Sequence, residues 1–233
     1  MDVLCIIPFY NEKENLKKLI YDLVNNKLIH KNFDFLFIDD GSNDSSSQEI
    51  SNFNLIKSNK NLGYGATIKS GIKFAIKNKY KYLSVMPGDY QRDFNDLLKL
   101  KQALSEFKDY DLINGSKLHL KSIPFFNKVT NLFYSKYINL LTGSSEVSDV
   151  LSGFRIYKLD SLGDYFDILP NDYAFDSCFF LNLKKSKKNI KNIEVFANYK
   201  NQTSKMRFKL IVFMKIFIKL NIFYIKTLLK ISI

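Results

Sequence analysis

The sequence predicts an α/β fold: a mostly parallel, Rossmann-like sheet flanked by helices, followed by a basic amphipathic helix at the carboxyl end. Three observations carry that reading. From residue 2 to about 114, short β-rich runs alternate with stretches of helical period, the order that produces a parallel sheet covered by helices. Two of the runs, Val3-Leu4-Cys5-Ile6-Ile7 and Phe33-Asp34-Phe35-Leu36-Phe37-Ile38, are almost wholly apolar, as buried strands are. Each then gives way to a polar loop, and in an open α/β sheet ligands bind where the carboxyl ends of strands open into a crevice.

Taken in order, strands are predicted at 2 to 8, 33 to 38, 53 to 57, 81 to 86 and 110 to 114, with helices at 11 to 26, 44 to 51, 64 to 78 and 93 to 107. The first strand ends in Pro8-Phe9-Tyr10-Asn11-Glu12, where Asn11 and Glu14 have the spacing of a helix cap and its reciprocal acid. The second ends in Asp39-Asp40-Gly41-Ser42, two carboxylates, a glycine and a hydroxyl. Alone such a turn could cap a helix; beside the first loop it suits a mononucleotide. Lys60-Asn61-Leu62-Gly63-Tyr64-Gly65-Ala66 leads into the third helix and offers backbone N–H groups to an anion, or close approach to a base. After the fourth strand, Pro87 and Gly88 stop the chain, and Asp89 and Gln91 present oxygens from alternate positions, hard ligands suited to Mg²⁺ or Mn²⁺. Asp93 reads as the cap of the next helix. Beyond lie a long helix at 125 to 142, a loop at 143 to 153, a strand at 154 to 158, a helix at 173 to 184 and a strand at 190 to 197.

Composition narrows the function classes without choosing among them. The net charge of +12, from 35 Lys and Arg against 23 Asp and Glu, calls for an acidic partner such as nucleic acid, anionic lipid or a phosphorylated small molecule. Cys5 and Cys178 sit far apart in apolar surroundings and read as buried free thiols of a reducing compartment. His30 and His119 lie outside every motif and read as surface residues. The chain enters a strand at once, so no signal peptide is expected.

Pro8-x-Tyr10-Asn11-Glu12, Asp39-Asp40-Gly41-Ser42, Asn61-x-Gly63-x-Gly65-Ala66, the acidic loop at Asp89, Gly115-Ser116-Lys117 and Asp149-Val150-Leu151-Ser152-Gly153-Phe154-Arg155 occur in family order. Together they resemble a family 2 glycosyltransferase of the GT-A fold, in the branch of dolichyl-phosphate mannose synthase and bacterial polyprenyl-phosphate glycosyltransferases. The resemblance spans residues 2 to about 205, which sets a domain at 1–205 and a helix at 206–233. It implies inverting transfer of a sugar from a UDP- or GDP-linked donor to an acceptor, a polyprenyl phosphate or another glycan acceptor, as in the building of cell-envelope glycans. It further implies that Pro8, Tyr10, Glu12, Asp39, Asp40 and Gly63 hold the nucleoside, and that Asp89 and Gln91 bind the metal. Lys117, Arg155 and Lys205 would be cations near the phosphates, and Asp176 the base if the acceptor is a sugar hydroxyl.

The chain departs from the family pattern in three places. Pro87 stands where an Asp-x-Asp motif has its first acid, Phe175-Asp176 replaces Phe-Glu, and the arginine-rich loop reads Asn198-Tyr199-Lys200-Asn201-Gln202-Thr203-Ser204-Lys205. Those changes leave open a different acceptor or a weakened nucleotide-sugar-binding or membrane-scaffolding protein; a nucleotidyltransferase, which shares the sheet and the acidic loop, is a third class.

From Arg207 onward the chain is almost wholly apolar except for lysines, and Lys215, Lys219, Lys226 and Lys230 fall within a sector of roughly 60° on a helix. No uncharged run approaches the ~18 residues of a spanning helix. The segment is expected to lie in the interface of an anionic membrane, on its cytoplasmic face; a helix packed on the core or on a second subunit is the alternative. Nucleic acid is not expected, because the lysines are not interleaved with polar readers.

Overall fold

The computed structural model describes residues 2–119, 121–199 and 210–229; Lys205 and Lys230 lie outside them. A seven-stranded sheet forms the centre, with strands β1 (Val3–Phe9), β2 (Asp34–Asp39), β3 (Asn54–Lys57), β4 (Tyr82–Val85), β5 (Leu112–Ser116), β6 (Arg155–Lys158) and β7 (Ile190–Glu194) in the order β3-β2-β1-β4-β6-β5-β7. Only β6 runs antiparallel, between β4 and β5. The chain moves outward from β1 to β3 and returns to β4, so β1 and β4 flank a switch point where a crevice opens at their carboxyl ends.

The helices are α1 (Lys13–Asn25), α2 (Lys27–His30), α3 (Tyr64–Lys77), α4 (Phe94–Glu106), α5 (Phe125–Thr142), α6 (Ala174–Lys185) and α7 (Leu210–Leu229). Alternation along the strands divides the core. Leu4 and Ile6 of β1 face α3, α5, α6 and α7, whereas Val3, Cys5 and Ile7 face α1, α2 and α4. Both cysteines are buried free thiols, as their surroundings predicted, and both histidines are exposed.

Two local expectations give way. The helix predicted at 44 to 51 is a single 3-10 turn, Ser46–Glu49, because its polar residues are engaged elsewhere. Ser42 Oγ accepts from the Asn11 N–H (2.9 Å), Ser46 Oγ from Glu12 (2.9 Å) and Asp44 from Lys13 (3.2 Å). The loop after β2 therefore satisfies the open N–H groups of α1, and the Asn11–Glu14 cap does not form. Asp93 does cap α4, accepting from the Asn95 N–H at 2.7 Å.

Helix α7 shares the core rather than standing apart from it. Ile216, Leu220 and Phe223 are buried against α5 and α6. Tyr134 donates to the Phe213 carbonyl (2.6 Å), Tyr137 to Asn221 Oδ1 (2.6 Å), and Lys219 pairs with Asp172. The opposite side carries Ile211, Met214, Ile218, Ile222, Ile225 and Leu229, all exposed. Lys215 and Lys219 line the border between the two faces. Along α5, Phe125 (82 % exposed), Phe126, Val129, Leu132, Phe133 and Leu140 (79 %) extend the apolar surface, joined to α7 where Phe133 meets Phe213 and Phe217. No described helix is long and apolar enough to cross a membrane.

Candidate active site

Register brings the strand ends level. Phe9 pairs with Asp39. The Phe9 carbonyl accepts from the Asp40 N–H at 3.0 Å and the Pro8 carbonyl from Gly88 N–H at 3.0 Å, so the loops after β1, β2 and β4 leave the sheet side by side. Pro8 is buried within this ladder, Tyr10 is exposed at the rim, and Glu12 accepts from Asn15 Nδ2. Asp39 is fully buried, and its Oδ1 accepts from the Ser42 N–H (2.7 Å).

Asp40 and the glycine loop form a clasp. Its two carboxylate oxygens accept from the N–H groups of Leu62 (2.8 Å) and Gly63 (3.0 Å), and burial raises its pKa against those bonds. The Gly63 N–H is thereby occupied. A Cβ on Gly63 would lie 2.5 Å from the Asn171 carbonyl oxygen, and one on Gly65 2.2 Å from that of Pro170. The close approach these glycines permit is to the chain's own segment at 170 to 172, sealed by the Ala66 N–H to the Asn171 carbonyl (3.0 Å).

At the other end of the crevice the acidic loop meets a cluster of cations. The Gln91 N–H donates to Asp89 Oδ1 (3.1 Å), and burial raises the Asp89 carboxyl while Arg92 and Lys117 oppose that rise. Lys117, at the end of β5, has its pKa lowered to about 8, chiefly by burial and then by Arg92, with Asp149 and Asp89 pulling the other way. Its backbone N–H donates to Asp149 (2.5 Å), its ammonium lies 5.8 Å from the Tyr199 ring, and Asn131 of α5 donates to the same carboxylate. Arg92 ties three segments: its guanidinium donates to Ser152 Oγ (2.9 Å) and the Phe196 carbonyl (3.0 Å) and lies over the Phe154 ring. Gln91 also lines a cleft of about 690 Å³ running toward Asp22 and Asn25 of α1.

Arg155 and Asp176 form a buried pair next to this cluster, within electrostatic reach of Asp149 and Lys117. The Arg155 guanidinium is 0 % exposed; it pairs with Asp176 (3.3 Å), donates to the Val150 carbonyl (3.0 Å) and lies 4.9 Å from the Phe180 ring. Burial alone would lower its pKa, and the adjoining Asp176 raises it above the usual value. The Arg155 guanidinium, expected near a phosphate, is thus engaged in an internal ion pair. Asp176, raised by burial and opposed by Arg155, sits beside the Tyr64 hydroxyl. Sequence reasoning missed Arg92 and Asn131; the only signal for Arg92 was its place in the acidic loop.

The comparisons decide the family. Residues 4–166 match the model of Glycosyl transferase family 2. The chain belongs to glycosyl transferase family 2. It is 32 % identical over 210 residues to an uncharacterized protein of Methanocaldococcus jannaschii, covering 84 % of this chain and 87 % of that one. It is 28 % identical over 240 residues to the UDP-N-acetylglucosamine–dolichyl-phosphate N-acetylglucosaminyltransferase of Methanococcus voltae, covering 92 % and 93 %. In fold it is similar to glucosyl-3-phosphoglycerate synthase from Mycobacterium tuberculosis, solved with Mn²⁺, UDP and phosphoglyceric acid (TM-score 0.69, 13 % identity, 95 % of this chain and 78 % of that one). The protein is therefore a family 2 glycosyltransferase with relatives in the polyprenyl-phosphate branch.

Proposed function

We propose that this enzyme moves a sugar from a UDP- or GDP-linked donor to a polyprenyl phosphate, with inversion at the anomeric carbon, at the cytoplasmic surface of an anionic membrane. One observation carries the reading. Asn131 on the inner side of α5 holds Asp149, which takes the Lys117 N–H, while the outer side of the same helix is an exposed apolar face continuous with α7. A bilayer against that face would lie about one helix diameter, roughly 10 Å, from the cationic end of the crevice. Lys121, Lys136, Lys215 and Lys219 are exposed on or near it and would meet anionic headgroups. The Methanococcus voltae relative, named for a UDP-sugar and a dolichyl phosphate, supports both substrate classes.

In the proposed reaction Asp39 and Glu12 accept from the nucleoside's hydroxyl or N–H groups, and the clasp of Asp40 on Leu62 and Gly63 fixes the loop beneath it. A phosphate oxygen of the acceptor attacks the anomeric carbon as the bond to the donor diphosphate breaks, and that electron pair leaves on the nucleoside diphosphate. Lys117 stabilises the charge gathering there, where burial strengthens the interaction. No base is needed, because the acceptor is already an anion. That suits a site whose candidate base, Asp176, is bound to Arg155.

The donor set fits a substrate-borne ion. No three His, Cys, Asp or Glu side chains converge among the described residues, and Asp89 alone would hold Mg²⁺ or Mn²⁺ with diphosphate oxygens completing the shell. Bound there, the ion would neutralise leaving-group charge. Gln91 would contribute through its amide to Asp89 as well as, or in place of, its side chain.

Calorimetric titration with UDP- and GDP-sugars, with and without Mn²⁺, followed by assay of nucleoside diphosphate release on vesicles containing polyprenyl phosphate, tests the proposal. Release that depends on the lipid phosphate supports it. Binding without turnover would instead favour a weakened nucleotide-sugar-binding protein, and pyrophosphate release a nucleotidyltransferase.

A further inference from the structure

Tyr173 lies outside every residue to which the donor has been assigned above. It precedes α6 and stacks on Tyr64, with ring centroids 6.0 Å apart and planes 17° from parallel. Tyr64 is in turn backed by Phe175 in edge-to-face contact at 6.5 Å. The segment before it is pinned from several sides: Asn171 accepts from the Ala66 N–H and from Lys69 Nζ (2.8 Å), and Asp172 pairs with Lys219. A ring held this firmly by its own loop would be expected to sink into the core, yet Tyr173 remains 41 % exposed. Its surroundings locate the exposed part. Burial raises its pKa first, and after burial the carboxylates of Asp40, Glu12 and Asp89, which come from three different strand-end loops, raise it further. Tyr173 thus looks into the crevice among the loops after β1, β2 and β4, and its own segment packs on the glycine loop that Asp40 clasps.

We infer that Tyr173, supported from behind by Tyr64, is a preformed stacking platform for the donor's nucleobase. The inference rests on the nucleotide-sugar reading of the crevice. Asp40 and Glu12 beside the ring suit a neutral, flat group with N–H and hydroxyl donors at its edge and repel an uncompensated phosphate, so the ring faces the nucleoside, with Asp89 on the side where the diphosphate and its ion would lie. Stacking tolerates either a pyrimidine or a purine. Discrimination between UDP and GDP donors would then fall to edge contacts such as Asp39, not to the platform.

The absence of tryptophan from the chain makes a direct test available. In Tyr173→Trp the single indole should be quenched on adding UMP or GMP, whichever the wild type binds, whereas Ile76→Trp, exposed at the carboxyl end of α3 three turns from the crevice, should not respond. Tyr173→Ala should weaken the monophosphate and the diphosphate alike, by roughly tenfold, and Tyr173→Phe should bind as the wild type does. Circular dichroism melting checks that each variant is folded. An unquenched indole in a protein that binds nucleotide, or an affinity loss confined to sugar-bearing donors, would overturn the platform while leaving the donor reading intact. A wild type that binds neither UDP nor GDP in calorimetry would overturn both.

Discussion

Replacing Ile218, Ile222 and Ile225 together by serine should detach the enzyme from anionic vesicles while leaving it folded. Each is about half exposed on the outer side of α7, so each retains roughly half the transfer free energy of a buried side chain, about 1 kcal/mol. The triple variant should lose roughly 3 kcal/mol of bilayer affinity, or roughly 100-fold in partition coefficient. Folding stability should change little, because exposed sites away from partners typically shift it by less than about 0.5 kcal/mol each. Deleting α7 is the wrong perturbation for this purpose. Ile216, Leu220 and Phe223 are buried, and at about 1.5–3 kcal/mol each their loss would consume about 5–9 kcal/mol, comparable with the whole stability of a typical domain. Sedimentation with mixed phosphatidylcholine and phosphatidylglycerol vesicles, repeated at low and high salt, reads the partition directly. A triple variant that sediments as the wild type does would refute the assignment of this face to the bilayer.

Other expectations follow from the same geometry. Lys117 acts as a cation and has its pKa lowered to about 8, so donor kcat/KM should fall as pH rises through that value, and Lys117→Arg should carry the plateau to higher pH. The stability effect has the opposite sign: between about 8 and the ordinary lysine value of 10.5 the unfolded chain binds more protons at this group, so it adds stability as pH rises. Asp89→Asn should abolish metal-dependent turnover with an unchanged melting temperature, and unchanged activity with normal metal dependence would remove Asp89 from the site. Arg155→Leu should cost about 3–5 kcal/mol in urea unfolding by leaving Asp176 buried without its partner, and Arg155→Met with Asp176→Leu should recover most of that loss.

The sheet was legible because its signals are local. Apolar runs ending in Pro8, Asp39 and Pro87 mark strand ends whatever lies beyond them, and all seven strands sit within a few residues of their expected places. What local patterns could not show was which distant segment answers each residue. The packing of Gly63 and Gly65 was hidden because their neighbours, Pro170 to Asp172, are more than a hundred positions away. The pairing of Arg155 was hidden because a charged side chain is rarely enclosed, and its partner Asp176 lies on another element. The lysine stripe of α7 was visible, but its two apolar flanks look alike in sequence. Only packing on α5 and α6 distinguishes the buried flank from the exposed one.

The most direct test of the central claim uses a donor labelled in its sugar, purified enzyme, and vesicles carrying a long-chain polyprenyl phosphate, with water-soluble saccharides present as competing acceptors. Label extracted into the organic phase as a glycosyl phosphate of the lipid, inverted at the anomeric carbon, is the predicted result. Label that stays in the aqueous phase on a saccharide, with the lipid untouched, would contradict it.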